Sequence, residues 1–165
     1  MKKTLFAEGT TVSPEKSRAE IETVLNRYGA TGFAYARNDV TSQCRIEFAA
    51  NNRRVRFDMV LPSKDEERFT NDPRSIWIRR TDQAALKAWE AEVRRLWRAL
   101  LLAIKAKLEV VESGLAVFEE EFMANIVMPD NTTVSQHARP WIEQAYQSGR
   151  VRALLGDGTD PEVTA

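Results

Sequence analysis

Across residues 83 to 112 the apolar side chains recur at helical spacing without a break, which sets the longest element of the chain and dictates what must lie against it. At about 1.5 Å per residue such a helix is about 45 Å long. Leu86, Trp89, Val93, Leu96, Trp97, Leu100, Leu101, Ile104, Leu108 and Val111 fall within an arc of about 140°. An arc of that width is a core face, so Trp89 and Trp97 read as packing residues rather than as a cofactor box. Asp82 is the expected cap, and Gly114 marks the end.

The cover for that face is legible upstream. Ser13-Pro14-Glu15 is a helix start, because serine caps free amides, proline tolerates the first helical position and an early acid suits the helix dipole. Ile21, Val24, Leu25 and Tyr28 continue at helical spacing to Gly29, predicting a helix over 14–28. The period then changes to two: Phe33 and Tyr35, then Ile46, Phe48 and Ala50, then Val55, Phe57, Met59 and Leu61. These are three antiparallel strands, with Asn51-Asn52 as the tight turn between the last two. The predicted class is α+β: an N-terminal helix, a three-stranded antiparallel sheet, the long amphipathic helix and C-terminal helices. One domain is expected over 1–155, followed by a short acidic tail over 156–165.

The segments outside these elements are less regular. Residues 62 to 82 form a long polar connection carrying Phe69 and Trp77 among Arg68, Arg74, Arg79 and Arg80, with Ile76-Trp77-Ile78 readable as an extra strand or as an anchor to the core. Residues 115 to 126 suggest a further helix or a bent continuation, and 126–128 a short strand. Ser135 is the expected cap of a last helix running through Trp141, Ile142, Ala145 and Tyr146 to Gly149. The single cysteine, Cys44, cannot form an internal disulfide, which fits a reducing cytoplasm such as that of a bacterial host cell. The start Met-Lys-Lys-Thr-Leu-Phe-Ala reads as a short cytosolic leader, and no stretch approaches the roughly 20 apolar residues of a membrane span.

No reaction is announced. His137 is the only histidine, and no serine or cysteine elbow accompanies it. Glycine-rich nucleotide-binding motifs are missing, and no cofactor is implied. Glu119-Glu120-Glu121 with Asp130 is the only acidic grouping to weigh as a metal site, and adjacent helical residues point in different directions, so no metal is expected. An enzyme is not indicated.

Charge says more. The chain has 24 Lys+Arg against 24 Asp+Glu, yet residues 44 to 107 hold 15 basic and 9 acidic residues, whereas residues 108 to 165 hold 3 and 10. Such asymmetry marks a nucleic-acid surface or an acidic tail. Within the basic segment, Arg45, Glu47, Arg54, Arg56 and Asp58 share the sheet face opposite the apolar one, either as a solvated outer face or as a ligand-facing one. Lys87, Arg94, Arg98 and Lys105 fall within about 40° of one another beside the apolar arc of the long helix, either as a snorkelling flank or overlooking a groove. The expected nucleic-acid-binding set is Arg54, Arg56, Phe69, Trp77, Arg79, Arg80, Lys87, Arg94, Arg98 and Lys105, because single strands are held by stacking on aromatics and by cations on phosphates.

The order three strands, long connection, long helix over residues 31 to 112 resembles the core of single-strand annealing proteins, including those phages carry for recombination. The tracts Ser13-Pro14-Glu15-Lys16-Ser17-Arg18-Ala19-Glu20-Ile21, Tyr28-Gly29-Ala30, Ile104-Lys105-Ala106-Lys107-Leu108-Glu109 and Phe118-Glu119-Glu120-Glu121-Phe122 are similar to those of a group of small bacterial and prophage proteins, which implies no activity. The annealing resemblance implies a ring-forming protein that holds one DNA strand in a groove, with Arg54 and Arg56 on one wall and Lys87, Arg94, Arg98 and Lys105 on the other. The expectation is therefore a non-enzymatic, homo-oligomeric binder of single-stranded nucleic acid, DNA ahead of RNA. The rival is a protein-interaction module, a phage accessory or host-directed factor, whose basic and acidic surfaces pair between copies.

Overall fold

The computed structural model describes residues 5–150, apart from the side chain of Ile76. The first residues of the expected leader and the acidic tail expected over 156–165 lie outside that range. Helix α1 spans Pro14–Arg27, with the Ser13 hydroxyl accepting from the Lys16 amide at 3.2 Å. Its inward stripe, Ser17, Ile21 and Leu25, is buried. Beyond it, Gly29 takes a φ of 79°, a left-handed turn that releases the chain into the sheet.

Strands β1 (Gly32–Asn38), β2 (Gln43–Ala50) and β3 (Arg53–Val60) form an antiparallel meander in that order. Asn51 and Asn52 both sit at positive φ, 50° and 57°, as the tight turn requires. The register puts Arg45 opposite Asp58 and Glu47 opposite Arg56 on the outer face, and Ile46 opposite Phe57 and Phe48 opposite Val55 on the inner one. The period of two thus separates the Arg45–Asp58 and Glu47–Arg56 ions from the core along the middle of β2 and β3.

The connection over 62–82 is shorter on loop than its composition predicts. It contains a single helical turn, α2 (Glu67–Thr70), and a small hairpin of β4 (Asn71–Asp72) and β5 (Ser75–Arg79). Helix α3 follows over Asp82–Glu112 and buries Val93, Trp97, Leu101, Ile104 and Leu108 against the sheet and α1. Its cap is Thr81, whose hydroxyl accepts from the Ala84 amide at 3.3 Å, and not Asp82. Asp82 instead occupies the first turn, where its carboxylate faces the positive end of the dipole.

Gly114 ends α3 at a φ of 73°, so residues 115–126 form no continuation but a separate short helix, α4 (Phe118–Phe122), and a 3-10 turn, Met123–Asn125. Phe122 is fully buried and packs against Phe118, Phe48 and Phe57 at centroid distances of 4.7, 6.0 and 6.4 Å. Ile126 then bridges Val55 at the free edge of β3. Helix α5 (Val134–Ser148) is capped by Thr133 rather than Ser135, because the Gln136 side chain returns a bond to the Thr133 amide at 2.7 Å and completes a capping box. No residue of α5 is buried, and Trp141, Ile142 and Tyr146 stand exposed. No described helix is long and apolar enough to cross a membrane.

Candidate nucleic-acid interface

The β4–β5 hairpin carries the most exposed aromatic of the central segment. Asp72 pairs with Ser75 and Asn71 with Arg79, so the register shifts between the two pairs and β5 bulges from the ladder. Trp77 sits at the centre of this bulge and is 88 % exposed. The Asp72 carboxylate closes the turn by accepting from the Arg74 amide at 2.8 Å.

The base of the arm is fixed to α3. Phe69 is buried, with the Arg68 guanidinium 4.6 Å above its ring. Arg68 reaches Glu92 at 3.5 Å, and Arg95 binds both Glu92 oxygens at 2.7 and 2.8 Å. The hydrogen bonds from Arg95 hold the Glu92 carboxyl below the usual range against the opposing effect of its burial. Arg80 closes the hairpin through its amide to Thr70 O at 2.8 Å and its guanidinium to Phe69 O at 3.3 Å. Phe69 and Arg80 are therefore the anchor, and Trp77 with Arg74 and Arg79 is the presented surface. Lys87 is exposed on α3 close in sequence to the hairpin's end. None of Arg74, Arg79, Arg80, Lys87 or Lys105 forms an ion pair with another described residue.

The sheet face is different. Arg54 and Arg56 both bind Glu47, at 2.6 and 3.0 Å, and Arg45 binds Asp58 at 2.7 Å. Arg56 is only 4 % exposed, because the Pro129–Thr132 turn folds over it: Asn131 accepts through its backbone oxygen at 2.8 Å and its side-chain oxygen at 2.7 Å. The structure also puts Arg54 and Arg56 on the sheet face turned away from α3, since Val55 and Phe57, which alternate with them, face the core. The expected groove with these two arginines on one wall and the α3 stripe on the other is thus not formed. Strand alternation forbids it once Val55 is inside.

The α3 stripe divides along its length. Lys87 and Lys105 are exposed, whereas Arg98 pairs with Glu20 of α1 at 2.5 Å. Arg94 lines a cleft of about 370 Å³ between the start of α1, the inner face of the sheet and α3. Two cations that the sequence reading passed over join it there: Arg18 from α1 and Arg37 from β1. Arg37 continues the inward alternation Phe33, Tyr35, which is the signal that could have found it. The Arg18 guanidinium lies 4.4 Å from the Tyr35 ring centroid and 5.6 Å from that of Trp97, within cation–π reach of both. Glu15 and Glu90, both largely exposed, stand at this cleft with Arg18 at 3.3 Å and Arg94 at 3.9 Å.

The acidic run of α4 is engaged in pairs, Glu121 with Lys107 at 2.9 Å and Glu119 with Arg53 at 3.7 Å. No group of three His, Cys, Asp or Glu side chains among the described residues is arranged to hold a metal ion. His137 bonds Thr132 at 2.6 Å and Asp130 at 2.9 Å, bracing the turn that covers Arg56. Comparison with protein-family models, curated proteins and solved structures finds no match to this chain.

Proposed function

We propose that the protein binds single-stranded nucleic acid without transforming it, and that the β4–β5 arm is its contact surface. The observation that carries this reading is Trp77, pushed 88 % into solvent by a bulge and flanked by Arg74 and Arg79, neither of which has a carboxylate partner among the described residues. An indole held in water costs apolar hydration unless something covers it, and a base is a flat surface of matching kind. Single strands expose base faces that a duplex conceals, and the adjacent guanidiniums meet the phosphates. Such recognition tolerates any sequence. In its finer form the proposal is a phage-type DNA annealing protein that works as an oligomer in the bacterial cytoplasm.

Anisotropy of a labelled oligonucleotide at low salt is the test. Trp77→Ala is expected to weaken binding about tenfold, since stacking on one base contributes about 1–3 kcal/mol. The melting temperature should not change, because the ring touches little. Arg45→Ala, which removes a cation already matched by Asp58, is expected to leave affinity nearly unchanged. Equal losses in the two variants would argue for diffuse charge attraction and against the arm.

The exposed apolar residues of α5 favour a second reading, a protein-interaction module, to the extent that Trp141, Ile142 and Tyr146 have no cover among the described residues. Oligonucleotide affinity indistinguishable from zero, with salt-sensitive self-association, would select it.

A further inference from the structure

We propose that the cleft between α1, the sheet and α3 is a binding site for a phosphomonoester, supplied either by the phosphorylated end of a nucleic-acid strand or by a free nucleotide. This extends the nucleic-acid reading to a second contact, separate from the Trp77 arm.

Three arginines from three different elements meet here, Arg18 of α1, Arg37 of β1 and Arg94 of α3. Convergence from elements distant in sequence is a property of the fold, not of a local charge run. Each guanidinium has five N–H donors. Described residues engage one nitrogen of each: Arg18 Nη2 with Glu15, Arg37 Nε with Asp39 and Arg94 Nη1 with Glu90, the last at 3.9 Å, beyond hydrogen-bond reach. The Nε atoms of Arg18 and Arg94 are shielded from solvent and meet no acceptor. Buried donors in native proteins are almost always satisfied, so two arginines that line one cavity and are left under-satisfied favour an acceptor in it, met by their terminal nitrogens. Arg18 and Arg94 thus contrast with Arg54, Arg56 and Arg95, each bound to a carboxylate at 3.0 Å or less, whereas Arg37 is paired with Asp39 at 2.5 Å, both side chains being more than half exposed.

The chemistry of that acceptor follows from the donors. Planar guanidiniums recognise phosphate and carboxylate oxygens two at a time, and a doubly charged phosphomonoester is the better match to three of them. Arg18 is held over the Tyr35 ring with Trp97 alongside, and these cation–π contacts limit its movement. The existing partners do not close the site. Glu15 is 71 % exposed and Glu90 49 % exposed against 26 % for both Arg18 and Arg94, which places the carboxylates towards solvent and the cations deeper. Exposed pairs of this kind are weak and yield to a stronger anion. The cavity, about 370 Å³, has the size of a small-ligand pocket and suits a terminal phosphate with its nucleoside better than the continuous backbone of a strand.

The test uses the full chain and two probes. Adenosine monophosphate is titrated against equal ionic strength of sodium chloride, followed by the indole N–H signals of Trp89 and Trp97 in NMR spectra. Separately, oligonucleotides with a phosphorylated and a hydroxyl end are compared by anisotropy. Saturable shifts are expected, with Arg94→Gln and Arg37→Gln each weakening binding about tenfold and Glu90→Gln tightening it. The tightening is a sign that loss of structure cannot mimic, so the inference does not depend on Arg18→Gln folding well. A phosphorylated-end preference lost in Arg94→Gln assigns the ligand to strand ends, and nucleotide shifts without end preference assign it to free nucleotide. Shifts no larger than with chloride, or shifts unchanged in all three variants, overturn the site. So does an end preference abolished by Trp77→Ala alone. The nucleotide arm stands or falls without any strand binding, so its failure is distinct from failure of the arm at Trp77.

Discussion

Arg56 shows how far one side chain can differ from its sequence reading. Alternation along β3 puts it on the outer face, which is where it lies. What alternation cannot show is the turn about 75 residues downstream whose Asn131 covers it. A residue that reads as an exposed cation is consequently a buried junction between Glu47 and the C-terminal segment. Arg56→Met is expected to cost on the order of 3 kcal/mol in urea unfolding, since the Glu47 charge and the Asn131 acceptors would lose their partner. Arg54→Ala, at a side chain 53 % exposed, should cost less than about 1 kcal/mol. Burial raises the Glu47 pKa, but the bonds from Arg54 and then Arg56 outweigh it and leave the carboxyl below its ordinary value. A folded value below the unfolded one contributes stability that is full above the unfolded pKa and disappears as pH falls through the folded one. Glu47→Gln should therefore lower stability at pH 7 and flatten its decline on acidification below about pH 4. A decline as steep as in the parent would remove Glu47 from the acid response.

At the scale of elements, what could be read locally was read, and what depended on neighbours was not. The bounds of α1, the three strands, α3 and the Gly149 stop follow from period and punctuation over a few residues. The caps were misplaced by one or two residues where two candidates stood together. Thr133 with Gln136 three residues on satisfies a capping box that Ser135, followed at the same distance by Ala138, cannot. The bulge of β5 has no local signature, because unequal pairing is a relation between two strands. Helix α5 depends most on its local signals, having no buried residue. A helix of 15 residues supported mainly by caps is marginal. Hydrogen exchange should show α5 opening well before α3, and Thr133→Ala should accelerate exchange in α5 while leaving the core of α3 unchanged. Equal protection in the two helices would mean that α5 has a partner covering it.

For the whole molecule, the charge division between residues 44–107 and 108–165 resolves into two populations. One is consumed in structure: Arg45, Arg54 and Arg56 on the sheet, Arg95 and Arg68 at the arm's base, Lys107 against α4. The other has no ion pair with a described residue: Arg74, Arg79 and Arg80 of the arm segment, with Lys87 and Lys105 on α3, whereas the cleft draws only Arg94 from the basic segment. Composition counts both alike, which is why the sequence could not tell the ion-paired cations from the unpaired ones. The arm's claim is the most direct to test through salt. Each phosphate neutralised on a single strand steepens the fall of log affinity with log salt by about 0.7. The slope for a labelled single strand should be measured for the parent and for the double variant Arg74→Gln, Arg79→Gln. A linear fall is expected, with a slope shallower by about 1.4 in the double variant. Identical slopes, or no binding by the parent even at low salt, would contradict it.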